Sequence, residues 1–321
     1  MTATPPLPAL PYDDWEPTKA TLHLTSQIIG KVKLANQPKE PHWWHATLRV
    51  TPRGIGTGPI FTRGGSFELD LDVHDLRLTL LDSGGDRDGI ELKGASVADV
   101  FRGTMAMLER SGYTTDILAR PFANPHSEIP FAEDDTHGTW DGDAIRRWWQ
   151  SLVFTEEAFR TFAGRSFMRT SPVHLFWHSF DLAVTRFTGR RAPSFGEGPR
   201  RSDVEAYSHE VVSFGYWPGD PQVRFPAYYS YTAPEPPGLA THPLRPESGW
   251  WQESAGSHLA MLKYDDVRGA SDPRRILLDF LESAFRAGSS ALELGGEELA
   301  TAPLWTQLDE RFPASRGRER R

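Results

Sequence analysis

The order of elements in the first half of this chain returns in the second, and that repetition constrains the fold more than any single motif does. A helical pattern over Pro17 to Ala35 is followed by His42-Trp43-Trp44-His45, a strand over Ala46 to Val50 and a closing Arg53. In the second half a helical pattern over Ala144 to Phe162 precedes a strand over Val173 to Phe187, which carries His174, His178, Asp181 and Arg186. Each half then ends alike, with Leu92-Lys93-Gly94 before a helix over Val97 to Arg110, and Leu262-Lys263-Tyr264 before a helix over Pro273 to Ala287. A fixed order of elements repeated along a chain implies duplication. The expected fold is α+β: an αββββα unit written twice, giving two antiparallel sheets packed against helices.

Local spacing supports these elements. Leu24, Ile28 and Val32 share one helical face, as do Val97, Phe101, Met105 and Leu108. Ser96 with Asp99 forms a capping box, and Asp272 before Pro273 is an N-cap followed by the residue best tolerated at the first helical position. Gly288 is expected to end the last of these helices. Phe67 to Val73 alternates apolar and acidic residues and should pair with Leu76 to Leu81 through a tight turn at His74-Asp75. Tyr207 to Tyr216 and Ala227 to Tyr231 are aromatic strand candidates. The boundaries this implies are a first repeat at 1–120, a linker or lid at 121–140, a second repeat at 141–295, and a C-terminal helix with a basic tail at 296–321.

Composition narrows the function. The net charge of −8 with no basic stripe along a helix argues against a nucleic-acid partner. Cysteine is absent, so any metal must be held by histidine and carboxylates. The Pro-rich start lacks the basic and apolar regions of a secretory signal, and no stretch approaches the ~20 apolar residues of a membrane span. A cytoplasmic protein with a small-molecule ligand is the expectation. Gly54, Gly56 and Gly58 have the wrong spacing for a nucleotide loop and read as a flexible turn, so no nucleotide cofactor is expected. His209-Glu210 begins like a zinc-protease motif, but Ser213 stands where the second histidine belongs.

The remaining chemistry concentrates in the second half as His174, His178, Asp181, Arg186, Tyr207, His209 and Glu210. Imidazole with carboxylate suits one Fe, Zn or Mn ion, and the candidate ligands are His174, His209 and Glu210. Asp181 or Tyr207 is a candidate for proton transfer, and Arg186 for holding an anionic substrate group. On one strand His174 and His178 would stand ~13 Å apart, too far to share an ion. A metal-free acid/base enzyme using His209 with Glu210 or Asp181 stays open, as does a non-catalytic protein with an aromatic cleft. For Arg53 and Arg186 the alternative to anion binding is structural salt bridging. Trp43-Trp44, Trp148-Trp149 and Trp250-Trp251 read mostly as packing, with Trp250-Trp251 able to cover a ligand.

Leu10-Pro11-Tyr12 with Trp15, the run from His42 to Gly54, Ser171-Pro172-Val173-His174, Ser179 to Phe187, Glu205 to Glu210 and Phe214 to Gly219 resemble an uncharacterised bacterial family, domain-of-unknown-function family 5996. The resemblance covers nearly the whole chain. It implies no activity or cofactor, and it favours His174, Asp181, Arg186, His209 and Glu210 over His178, where relatives are expected to carry a small residue.

Overall fold

The computed structural model describes residues 6–193, 200–254 and 256–292, so the expected C-terminal helix and basic tail at 296–321 lie outside the described residues. The chain opens with α1 (Tyr12–Asn36) and a 3-10 turn (Pro41–Ala46). The strands β1 (Arg49–Thr51), β2 (Gly54–Gly56), β3 (Ile60–Thr62), β4 (Gly65–Asp72), β5 (Arg77–Asp82) and β6 (Arg87–Glu91) follow, then α2 (Val97–Arg110). The second half begins with α3 (Gly142–Ala163), β7 (Arg169–Thr170), β8 (His174–Phe176) and β9 (Asp181–Arg191). It continues through α4 (Arg201–Ala206), β10 (His209–Trp217), β11 (Ala227–Ala233), β12 (Trp250–Ser254), β13 (Ser257–Lys263), α5 (Tyr264–Arg268) and α6 (Pro273–Ala291).

Helix and strand are thus mixed, and every strand pair among the described residues is antiparallel. Six strands run in the order β1-β2-β4-β5-β6 with β3 beside β4, and seven in the order β12-β13-β11-β10-β9-β7 with β8 also on β9. Leu48 and Leu175 exchange backbone hydrogen bonds of 2.8 and 2.9 Å, joining the two sets at β8. Each half therefore holds more strands than the four expected.

Local chemistry explains the element ends. Ser96 and Asp99 form the expected capping box on α2, and Asp272 accepts from the Arg275 N–H at the start of α6. Asp72 pairs with Arg77 across the His74-Asp75 turn, as the alternation of Phe67 to Val73 requires. Three expectations are corrected. Gly54–Gly56 is a buried strand rather than a flexible turn, because a Cβ on Gly54 would stand 1.8 Å from the Leu71 carbonyl oxygen. Gly288 lies inside α6 rather than ending it, and a Cβ there would stand 2.5 Å from Thr232 Oγ1, so it is a close helix-to-strand contact. His42 to His45 form a 3-10 turn with left-handed His42 and Trp43 rather than leading directly into a strand.

One apolar core spans both halves, including Trp15 and Ile28 of α1, Leu69 and Leu78 of the first strand set, and Phe159, Val184 and Phe280 of the second half. In α1 the residues from Thr18 to Lys33 are buried all round, polar ones included. No helix among the described residues is long and apolar enough to cross a membrane.

Candidate functional site

Val173 to Phe187 is two strands and not one. β8 and β9 pair as a hairpin with His174 opposite Ala183 and Phe176 opposite Asp181, and residues 177–180 make the turn. Phe180 holds a left-handed φ of 58°, its ring stacked on His23 at 4.8 Å and on Trp148 at 4.9 Å. His23 of α1 donates from Nε2 to the Trp177 and His178 carbonyls, both at 3.1 Å. This scaffold fixes the point at which β9 begins, and β9 begins with Asp181.

Side chains alternate across β9, so Asp181, Ala183, Thr185 and Phe187 share one face while Leu182, Val184 and Arg186 share the other. The Arg186 face packs on α3 and α6. The Asp181 face carries the polar chemistry. Asp181 is 6% exposed and accepts hydrogen bonds from the Tyr229 and Ser179 hydroxyls. Among the described residues no arginine, lysine or histidine forms an ion pair with it. A buried carboxylate bonded only by neutral hydroxyls is a costly arrangement for stability alone. The His178 imidazole lies close enough to interact with it; burial pushes that ring's pKa down while Asp181 pulls it up.

Tyr229 reaches Asp181 by lying across β10. It sits in register with Gly215, and a Cβ on Gly215 would stand 2.2 Å from the Tyr229 ring. Glycine at 215 is what allows the ring to lie flat on the strand. Two residues on, Tyr231 faces Ser213, and its ring is within 10° of parallel to Tyr229 with centroids 6.1 Å apart. The Tyr231 hydroxyl meets that of Tyr207 at 2.9 Å. Tyr229 and Tyr231 both keep partial exposure. Burial is the main reason that the pKa of all three phenols is raised, with Asp181 adding to it, so each stays a neutral hydroxyl at physiological pH. By contrast Tyr228 and Tyr216 turn to the opposite face, bonding Thr155 and Ser151 of α3 at 3.2 and 2.8 Å. Gly215→Val is expected to displace Tyr229 from Asp181 while leaving the helix-side packing intact, which tyrosine ring shifts in NMR spectra would register.

The other sequence candidates are dispersed. His174 and His209 pair with Ala183 and Arg191 of β9, eight residues or about 26 Å apart along the strand. Glu210 accepts from Arg190 Nε at 2.7 Å and Thr188 Oγ1 at 3.0 Å, next to the irregularity in the β9 to β10 register. The three are not brought together, and no group of three histidine or carboxylate side chains placed to hold an ion occurs among the described residues. His209 instead neighbours His42, with ring centroids 5.6 Å apart, and Ser208 at 3.1 Å. Tyr207 joins the Asp181 group through Tyr231.

Arg186 is corrected outright: it faces the helices, 1% exposed, and cannot hold a ligand beside Asp181. Its guanidinium lies 3.6 Å from the Phe162 ring centre and 4.3 Å from that of Phe285, and donates to the Phe162 carbonyl at 2.6 Å at the end of α3. Arg53 is likewise structural, an exposed partner of Asp72 and Asp75. Trp148 is core, Trp149 donates to the Thr51 carbonyl at 3.1 Å, and Trp251 to the His242 carbonyl at 2.8 Å.

His174, 3% exposed, has a measurable consequence. Burial, with Arg49 and Lys33 adding to it, lowers its pKa to about 3. In the unfolded chain it titrates near 6.5, so as pH falls below that value the unfolded state takes up a proton that the folded state refuses. Its contribution is complete above pH 6.5 and declines toward pH 3. At pH 5 the loss from this residue is about 2 kcal/mol. Urea denaturation at pH 7 and pH 5 should show it, and His174→Gln should shrink the difference; an unchanged difference would contradict the assignment.

Sequence reasoning named Asp181 and Tyr207 but missed Ser179, Tyr229 and Tyr231. The available sign was the period-two spacing of Tyr229 and Tyr231, which puts both rings on one face of a strand, together with a glycine at 215. No curated protein and no solved structure matches the chain. The model of a family of unknown function, DUF5996, matches residues 7–301. That span takes in both strand sets, the Asp181 face and its tyrosines, and the chain accordingly belongs to the DUF5996 family.

Proposed function

We propose that this protein is a small-molecule enzyme whose reaction takes place on the Asp181 face of β9, β10 and β11. The observation that carries this reading is the buried Asp181 carboxylate, which forms no ion pair among the described residues and is bonded by the Tyr229 and Ser179 hydroxyls. Asp181 is suited to accept a proton from a bound substrate, and His178 to exchange one with it. The Tyr229 proton is given to Asp181 and one proton joins Tyr207 to Tyr231, so the neutral phenols offer mainly oxygen lone pairs to a substrate O–H or N–H. No step in this scheme calls for an ion at His174, His209 and Glu210. The reading is tested by incubating the protein with pooled metabolites and following substrate loss and product gain by mass spectrometry. Wild type should convert at least one compound that Asp181→Asn leaves untouched. Retention of a compound without conversion would favour the alternative of a binding protein, for which the partly exposed rings of Tyr229 and Tyr231 speak.

The duplication expected from sequence belongs to the same proposal. In its favour, each half runs from a long helix through a five-strand meander to a second helix: β1-β2-β4-β5-β6 in one half, β8-β9-β10-β11-β13 in the other. The Leu48 to Leu175 bridge joins the two meanders at their first strands. On this reading the first half supplies scaffold, because the places corresponding to Tyr229 and Tyr231 on β5 are taken by residues of Arg77–Asp82, none of them aromatic.

A further inference from the structure

Resting on that reading of the site, we infer that its ligand is an organic cation, a protonated amine or a quaternary ammonium. Three features point the same way. Asp181 is a buried carboxylate with no ion-pair partner among the described residues, so the site is short of one positive charge. Beside it, Tyr229 and Tyr231 lie nearly parallel across β10, with small residues, Gly215 and Ser213, in register beneath them. That arrangement turns ring faces, rather than edges, away from the strand, and the face of an aromatic ring is its electron-rich part, which attracts cations. Phe176, opposite Asp181 on β8, and the His178 ring 5.6 Å from it extend the aromatic surround on the other side.

Other ligand charges fit less well. An anion would meet the Asp181 carboxylate directly, since Arg186 points into the helices and Arg200, the base that acts on His178, lies over the Phe122 ring with its charge offset by Asp203. A neutral ligand would leave the carboxylate as short of charge as before. An ammonium group over the phenol rings meets both needs at once, with the charge next to Asp181 and the carbon substituents against the rings. His178, whose ring interacts with Asp181, is placed to take or return the proton of a primary or secondary amine.

Choline and its neutral isostere 3,3-dimethylbutan-1-ol separate charge from shape, and phenethylamine with 2-phenylethanol do so for a primary amine. In titration calorimetry against the full chain, each cation is expected to bind about tenfold or more tightly than its isostere. Asp181→Asn should erase that preference and leave the isosteres unchanged. Gly215→Val should weaken all four by displacing Tyr229. Equal binding of cation and isostere, a cation preference that survives Asp181→Asn, or no binding of either cation at millimolar concentration would overturn the inference. Equal binding that is lost in Gly215→Val would leave the site reading standing, whereas indifference to both substitutions would remove the site as well.

Discussion

Asp181→Asn is expected to give a folded protein that melts at or above the wild-type temperature and whose turnover is lower by about 100- to 10,000-fold. The two effects have one cause. The carboxylate is buried and, among the described residues, bonded by the Tyr229 and Ser179 hydroxyls and by no cation, so neutralising it breaks no ion pair. Asparagine has the same shape and can bond both hydroxyls without carrying the charge. A gain of about 1 kcal/mol is reasonable for removing an unpaired buried charge while its hydrogen bonds are kept. Thermal denaturation and metabolite conversion measured on the same preparations check both halves. A marked drop in melting temperature would make Asp181 a structural residue and count against a catalytic one.

Arg186→Ala is expected to destabilise the protein by about 3–5 kcal/mol, with no ligand effect beyond what unfolding explains. The guanidinium fills the space between Phe162 and Phe285 and bonds the last turn of α3. Truncation leaves a cavity and a Phe162 carbonyl that keeps the 3.1 Å bond from the Arg165 N–H but loses its charged partner. Burial pushes the Arg186 pKa down to about 10, the mark of a charge held in a dry place. Arg186→Met should therefore recover part of the loss, because it refills the volume and removes the desolvated charge while still lacking the guanidinium bond to the Phe162 carbonyl. Urea denaturation of the three proteins tests the series. If Arg186→Ala kept wild-type stability and lost conversion, the substrate-binding role read from the sequence would be restored.

What the sequence shows well is what local chemistry decides. The caps at Ser96 and Asp272, the Asp72 to Arg77 hairpin and the bounds of α2 all follow from side chains within a few residues of one another. The β8 to β9 turn does not. Trp177-His178-Ser179-Phe180 contains no glycine, proline, asparagine or aspartate, and the Phe180 ring is held by His23 and Trp148 from distant helices. Missing that turn makes one strand of two and puts His174 and His178 on a common face that does not exist. α1 defeats periodicity differently, since its Lys19, His23, Gln27 and Lys33 are buried with partners that only the fold supplies.

The site shows the same division. Asp181 and Tyr207 stand out by residue type, and so do His174, His209 and Glu210. Which of them meet depends on strand register, which in turn depends on the turn. The tyrosine pair is readable only once β10 and β11 are aligned, because Gly215 identifies itself as a support for Tyr229 solely by standing opposite it.

The most direct test of the account is to pass a cell extract over immobilised wild type, Asp181→Asn and Gly215→Val and to identify retained small molecules by mass spectrometry. At least one compound is expected to be held by wild type and released by both variants, with all three proteins equally folded by circular dichroism. Compounds retained equally by all three, or lost only where the fold is lost, would contradict the assignment of function to the Asp181 face.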